Sequence, residues 1–205
     1  PMLPTLSFRE FVASSRNRQC SRFLAKDAVF VPNGRIALFY ALELLGIGAG
    51  DEVMLPAYLC GSMLEPVLYI GATPVFYDLA DDLQIRTDSL ENCFSDKTRA
   101  LLAPHFFGFP QNLKGLRDYC DKQSIALIED CAHSFFSSDT PDGPGYRGDL
   151  AIASTVKFFP GTQGGALAVN NPAFRDRLPS GRRLDFKAQL KGVYHPLQAA
   201  LRHRR

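Results

Sequence analysis

Two charged side chains end apolar runs near the middle of the chain. Asp130 ends residues 125–130, and Lys157 follows the apolar run 150–156. Because ligands bind outside the carboxyl ends of strands in an open α/β sheet, both side chains are expected at one site. A carboxylate can hold a protonated ring nitrogen, and a neutral lysine amine forms an imine with an aldehyde. The pair therefore predicts a site for an aldehyde cofactor with a basic ring nitrogen.

Two neighbouring features could bind a phosphate group on the same ligand. Ser154 precedes Lys157 by three residues and offers a hydroxyl. Gly34, Arg35 and Ile36 open an apolar, helix-like stretch. Free N–H groups and the helix dipole favour anions at such a start, and a guanidinium would add a bidentate contact. The glycine pattern is neither G-x-G-x-x-G nor G-x-x-x-x-G-K-[ST], which disfavours a Rossmann dinucleotide site or a P-loop.

Each of these residues also has a plain structural explanation. An aspartate at a strand end is often a turn or N-cap residue, and a lysine there is usually solvated. The Gly34 segment alone is more simply a helix start whose arginine faces water. Lys157 is unusual because Phe158, Phe159 and Pro160 follow it, an apolar setting for a charged head. The chemical interpretation therefore depends on the residues acting together.

The rest of the chain alternates between strand and helix patterns with the spacing of βαβ units. Right-handed crossovers then predict a mainly parallel sheet between helices, a three-layer αβα architecture. Predicted strands cover residues 52–56, 74–78, 98–104, 125–130, 150–156 and 164–169. Predicted helices cover residues 34–45, 61–70, 89–94 with Asp88 as N-cap, and from Gln111 or Asn112 to about 123. We assign 1–30 to an arm with a short helix over 8–16, 31–180 to the cofactor domain, and 181–205 to a basic helical tail.

Composition excludes several classes of protein. The 205 residues are 46% hydrophobic with a formal net charge of +2, which makes no case for nucleic acid or a membrane surface. No apolar run is long enough to span a bilayer, and the start lacks the layout of a signal peptide. Five cysteines without CxxC spacing and four scattered histidines predict no metal site. Reduced thiols and a cytoplasmic location are expected.

Six motifs in a fixed order resemble the DegT/DnrJ/EryC1/StrS aminotransferases over about residues 30–175. They are GRIAL at 34–38, GIGAGDEVMLPAY at 46–58, GATPVFYD at 71–78, HFFG at 105–108, IEDCAH at 128–133 and GGAL at 164–167. The resemblance implies the major domain of a fold-type I enzyme that uses pyridoxal 5'-phosphate. It also implies amino transfer from glutamate or glutamine to a keto sugar, its nucleotide, or a similar ketone.

The resemblance assigns expected roles to individual residues. Asp130 would pair with the pyridine nitrogen, and His133 would lie near the ring hydroxyl. Gly34, Arg35 and Ile36, together with Ser154, would bind the phosphate. Tyr58 is the candidate to stack on the ring, because Cys60 occupies the position where many members have the aromatic residue.

The chain departs from the family pattern at the lysine. Most members place it two residues after a proline, where this chain has Thr162. Other members use Ser-x-x-Lys, which Ser154 and Lys157 satisfy. We therefore expect Lys157 to bind the cofactor covalently.

The chain also ends where members continue into a smaller C-terminal domain. A homodimer is expected because the fold normally completes each site from a second subunit. Two alternatives remain open: a non-catalytic binding or assembly module, and a sugar dehydratase that uses the same cofactor.

Overall fold

The computed structural model describes residues 21–136, 143–159, 161 and 163–177. Within these residues the chain forms one seven-stranded sheet in the order β1-β7-β6-β5-β4-β2-β3. The strands are β1 Val29–Val31, β2 Glu52–Pro56, β3 Thr73–Tyr77, β4 Thr98–Pro104, β5 Ala126–Asp130, β6 Leu150–Ala153 and β7 Gly165–Val169. Strands β2 to β6 pair in parallel, β7 is antiparallel to β6, and β1 is antiparallel to β7. The sheet is therefore mainly parallel, as the sequence predicts.

Helices cover both faces of this sheet. They are α1 Gly34–Leu44, α2 Gly61–Tyr69, α3 Thr87–Cys93 and α4 Leu113–Gln123. Single 3-10 turns lie at Arg22–Leu24, Phe106–Gly108 and Thr155–Lys157, and a longer 3-10 segment spans Pro172–Arg177. Helices α1 and α2 share one hydrophobic cluster with the sheet, whereas α3 and α4 share another. This arrangement is the three-layer αβα architecture.

Alternation along the strands explains why both faces are covered. Val53 and Leu55 of β2 pack in the cluster under α1 and α2, while Met54 between them packs under α3 and α4. Successive side chains of a strand point to opposite faces, so a strand that is apolar at every position needs a layer on each side. In β5, Asp130 therefore shares the face of Ile128 with α1 and α2, and Glu129 points to the other face.

The structure corrects the sequence prediction in three places. Strand β1 was not predicted, and it pairs with β7 at the edge of the sheet. Strand β6 ends at Ala153, so Ser154 lies at the start of the 3-10 turn that follows and Lys157 at its end, not within the strand. Asp88 is not the N-cap of α3, because that helix begins at Thr87 and Asp88 pairs with Arg86.

Two predicted segments, the short helix over 8–16 and the tail over 181–205, lie outside the described residues. Among the residues the structure does describe, no helix is both long and apolar enough to cross a bilayer.

Candidate active site

A cavity of about 420 Å³ opens beside the carboxyl ends of the central strands. Seven of the eight residues predicted for the site line it: Gly34, Arg35, Tyr58, Asp130, His133, Ser154 and Lys157. The structure does not bring Ile36 into the cavity. The Ile36 side chain packs against the core, and its N–H donates to Oδ1 of Asn33, the N-cap of α1, at 2.9 Å. Residues that are far apart in the sequence thus meet at the edge where ligands bind.

Asp130 is a buried carboxylate that lines this cavity. It is the last residue of β5 and only 4% exposed, and its Oδ1 accepts the Ala132 N–H at 2.8 Å. Burial raises the pKa of the Asp130 carboxyl, and the Ala132 N–H and the nearby charges of Lys157 and His133 oppose that rise. A cation placed in the cavity would favour the ionised form. The site is therefore suited to a ligand with a protonated nitrogen.

Lys157 and His133 form a hydrogen-bonded pair across the cavity from different loops. Lys157 Nζ lies 2.9 Å from His133 Nε2. The other ring nitrogen of His133, Nδ1, accepts the backbone N–H of Phe107 at 3.2 Å. Burial lowers the pKa of His133, the charge of Lys157 lowers it further, and Asp130 raises it. A neutral imidazole therefore contacts the only side-chain amine among the described residues that line the cavity.

The start of α1 lies directly against Ser154. A Cβ atom added to Gly34 would come within 3.3 Å of the Ser154 Cβ and 3.5 Å of the Ala153 carbonyl oxygen. Glycine at this position therefore leaves room for the helix N-terminus and the Ser154 hydroxyl to bind one anion. The Arg35 guanidinium lines the cavity but is ion-paired with Glu65 of α2.

Gly165 explains how the helix start reaches this position. A Cβ atom there would overlap the carbonyl group of Asn33 and lie 2.7 Å from the Gly34 nitrogen. The first residue of β7 thus has to lack a side chain for the turn into α1 to pass over it. This contact gives a physical reason for the second glycine of the GGAL motif.

Aromatic side chains form part of the cavity wall, and the sequence predicts a role for only one of them, Tyr58. Tyr58 is 58% exposed, and its ring lies 5.5 Å from that of Phe106, centroid to centroid. Phe106, Phe107, Cys60 and Met63 also line the cavity, without a role in the sequence prediction. The signal for the phenylalanines was the HFFG motif directly after β4, at a strand end like Asp130.

The residues present fit pyridoxal 5'-phosphate. An enclosed carboxylate, an amine, and an anion-binding helix start with a serine hydroxyl line one cavity. These groups match the ring nitrogen, the aldehyde and the phosphate of that molecule, respectively. The fold and site therefore define an α/β domain of the kind that holds this cofactor.

Comparisons with known proteins give the family. The sequence profile described as the DegT/DnrJ/EryC1/StrS aminotransferase family matches residues 17–195, and the chain belongs to this family. The predicted family, fold class and cofactor are thus confirmed.

Three individual relatives agree with this assignment. GDP-perosamine synthase of Vibrio cholerae is 34% identical over 155 residues, which are 71% of this chain and 41% of that protein. A UDP-N-acetyl-3-dehydro-alpha-D-glucosamine 3-aminotransferase of Acidithiobacillus ferrooxidans is 36% identical over 135 residues, 65% of this chain and 36% of that one. The crystal structure of S. venezuelae DesV superposes with a TM-score of 0.67 at 30% identity, covering 79% of this chain and 46% of that one. The chain thus spans less than half the length of these relatives.

Proposed function

We propose that this chain is the cofactor domain of an aminotransferase that uses pyridoxal 5'-phosphate and acts on a keto sugar, free or nucleotide-linked. The observation that carries the proposal is the convergence of Asp130, His133 and Lys157 on one cavity, with Lys157 Nζ 2.9 Å from His133 Nε2. The names of two relatives, a perosamine synthase and a 3-aminotransferase of a dehydro-glucosamine nucleotide, support a sugar as the amino acceptor.

Each residue of the site has a distinct task in this proposal. Lys157 would hold the cofactor through its aldehyde, and the Asp130 carboxylate would pair with the protonated ring nitrogen. The start of α1 at Gly34 and the Ser154 hydroxyl would bind the phosphate, while Tyr58 would cover the ring; all three residues line the cavity. The bound cofactor supplies an electron sink for the bond that breaks at the substrate α-carbon.

The proton transfers fall to Lys157 and its neighbour. The Lys157 amine would act as the general base toward the α-proton of the amino donor. His133 Nε2, 2.9 Å from that nitrogen, holds the amine in place during the transfer. Glutamate or glutamine is the expected donor.

The remaining assignments concern the whole protein. A homodimer would complete the open side of the site with residues of a second subunit. The four cysteines within the described residues, Cys60, Cys93, Cys120 and Cys131, are all unpaired, which supports a reducing compartment such as the cytoplasm.

Covalent trapping on Lys157 tests the proposal directly. The purified chain is mixed with pyridoxal 5'-phosphate, reduced with borohydride and digested, and the modified peptide is identified by mass spectrometry. We expect the label on Lys157, its loss in Lys157→Ala, and full retention in Lys114→Ala, a solvent-exposed control lysine paired with Asp118. Labelling that spreads equally over surface lysines would contradict the assignment.

A second measurement separates catalysis from binding. Glutamate added to the loaded protein should convert the cofactor to its amine form, with release of 2-oxoglutarate. Tight binding of the cofactor without this conversion would instead indicate a non-catalytic binding module. A deoxygenated sugar product without transfer of nitrogen would indicate a dehydratase.

A further inference from the structure

The loop after β4 donates backbone N–H groups to two histidines. Phe107 N donates to His133 Nδ1 at 3.2 Å, and Gln111 N donates to His105 Nδ1 at 3.1 Å. A backbone N–H can act only as a donor, so each Nδ1 must be an unprotonated acceptor. A neutral histidine then carries its proton on Nε2. The loop thus determines the tautomer of both rings.

Phe107 adopts a backbone conformation that needs an explanation. Its φ of 53° and ψ of 18° lie in the left-handed region, which a bulky residue seldom adopts. The ring is 61% exposed, so burial in the core does not hold it there. Instead the ring stacks on His133 at 5.7 Å and 15°, and the N–H points at the same imidazole. Strained residues of this kind cluster at functional sites.

Gly108, the next residue, also packs against His133. Gly108 has a φ of 90°, and a Cβ atom there would lie 3.3 Å from the His133 carbonyl oxygen. The Phe107–Gly108 turn therefore packs against the backbone as well as the ring of His133. A single turn fixes both the position of the imidazole and the nitrogen that it presents to the cavity.

We propose that Phe107 is a positioning residue, whose backbone N–H fixes His133 as the Nε2–H tautomer so that His133 donates to the Lys157 amine. An amine that accepts this hydrogen bond uses its lone pair and is unprotonated. Only the unprotonated amine attacks an aldehyde, so Phe107 prepares Lys157 for bond formation from the loop after β4. The use of that amine rests on the proposed function, whereas the tautomer does not.

The charges around His133 agree with a neutral ring. Among the described residues, Asp130 on β5 and Lys157 on the turn after β6 are the ionisable groups that act on it. Burial, the largest cause, lowers the pKa of His133 below its ordinary value near 6.5; a protonated Lys157 would lower it further, and Asp130 acts in the opposite direction. The imidazole therefore stays neutral at pH 7 and above and carries one proton, on either Nδ1 or Nε2.

Nitrogen NMR of the full chain labelled with ¹⁵N-histidine tests the tautomer itself. We expect His133 to show the Nε2–H pattern at pH 7.5 in the cofactor-free chain. His105 serves as an internal reference, because its Nδ1 also accepts a backbone N–H and its Nε2 faces Glu129 at 3.0 Å. A proton on His133 Nδ1, or a doubly protonated ring at that pH, would overturn the proposal. This measurement needs no substitution and does not depend on the folding of a variant.

Replacing the Phe107 amide by an ester tests whether the Phe107 N–H sets the tautomer of His133. The ester removes the N–H and leaves every side chain in place. We expect His133 to shift toward the Nδ1–H tautomer and the acetylation of Lys157 by acetic anhydride at pH 7.5 to slow by about tenfold, because the amine loses the donor that engages its lone pair. The matched control is the same replacement at Gln111. It removes the Gln111 N–H that His105 Nδ1 accepts and should leave Lys157 acetylation unchanged. Equal slowing in both esters, or none at 107, would contradict the proposed role.

The Phe107→Gly variant separates the contribution of the Phe107 backbone N–H to the His133 tautomer from that of the Phe107 ring. Glycine keeps the donor and adopts a positive φ without strain, so the tautomer should persist while the stacking contact is lost.

A wild-type chain with the expected tautomer but no borohydride-trapped cofactor would refute the proposed function alone. Cofactor trapped on Lys157 in a chain whose His133 carries its proton on Nδ1 would refute only the role of Phe107.

Discussion

His105 Nε2 lies 3.0 Å from Glu129 Oε2, and neither side chain is exposed to solvent. Glu129 also accepts three backbone N–H groups, from Gly145, Arg147 and Gly148, at 2.5 to 2.7 Å. The pair thus joins β4, β5 and the segment before β6, on the face of the sheet opposite Asp130. Cys131 lies near both side chains, and these three are the only described residues grouped like metal ligands. The hydrogen bonds already made by both Glu129 oxygens favour a structural role.

Glu129→Gln tests this structural role. Glutamine has the same shape, but its NH₂ group would face an N–H donor that Glu129 now satisfies. We expect a loss of about 3 kcal/mol in the free energy of unfolding, the usual cost of breaking a buried charge-assisted network. Urea denaturation measures it, with the exposed Glu91→Gln on α3 as control. A change as small as that of the control would show that the network contributes little.

Asp130→Asn should increase stability while it weakens cofactor binding. Burial raises the pKa of Asp130, so the folded chain favours its protonated form. The stabilisation from that proton is complete below the unfolded value near 3.8 and is lost as pH rises through the higher folded value. Asparagine keeps an oxygen for the Ala132 N–H and has no charge to bury. We expect it to stabilise the cofactor-free chain by about 1 kcal/mol at pH 7.5 and by less at pH 5.

Urea denaturation of both chains at the two pH values measures this difference. Cofactor titration of the same samples should show weaker binding by the variant, because the ring nitrogen loses its counter-charge. A variant less stable than the wild type at pH 7.5 would mean that the ionised Asp130 stabilises the fold without a ligand.

The predictable part of the site came from strand ends. Asp130 and Lys157 could be placed together because carboxyl ends of parallel strands meet at one edge, which depends only on the strand pattern. The pairing of His133 with Phe107 could not be predicted, because it requires a left-handed phenylalanine held by tertiary contacts. Ile36 is not among the residues that line the cavity, and its N–H is donated to Asn33, the N-cap, a contact that the sequence pattern did not indicate.

The edge of the sheet was harder to predict than its centre. Strand β1 has three residues, Val29–Val31, too few for a period-two pattern to stand out. The antiparallel direction of β7 leaves no mark on its sequence, which is as apolar as a parallel strand because both faces are covered. The start of α3 was misjudged because aspartate is common both as an N-cap and in the first turn of a helix.

Gly165→Ala should disturb the site by displacing the turn that leads into α1. The new Cβ would overlap the Asn33 carbonyl, so the turn into α1 has to move. We expect a loss of about 3 kcal/mol in unfolding free energy, at the upper end of overpacking costs. Gly48→Ala is the matched control, since the nearest atom to its Cβ is the Ile70 carbonyl oxygen at 4.0 Å. Equal stability of the two variants in urea denaturation would mean that β1 and α1 adjust freely.

Gly34→Ala should weaken cofactor binding with little effect on folding. Its Cβ would approach Ser154 to 3.3 Å, a distance that a small shift of the serine can relieve. Alanine also favours the helix, so the change in unfolding free energy should stay within about 1 kcal/mol. The methyl group projects to where the helix start and the Ser154 hydroxyl would share the phosphate, so we expect the Kd for pyridoxal 5'-phosphate to rise about tenfold. Pyridoxal without its phosphate should bind both chains alike in the same titration, and a similar loss for both ligands would place the phosphate elsewhere.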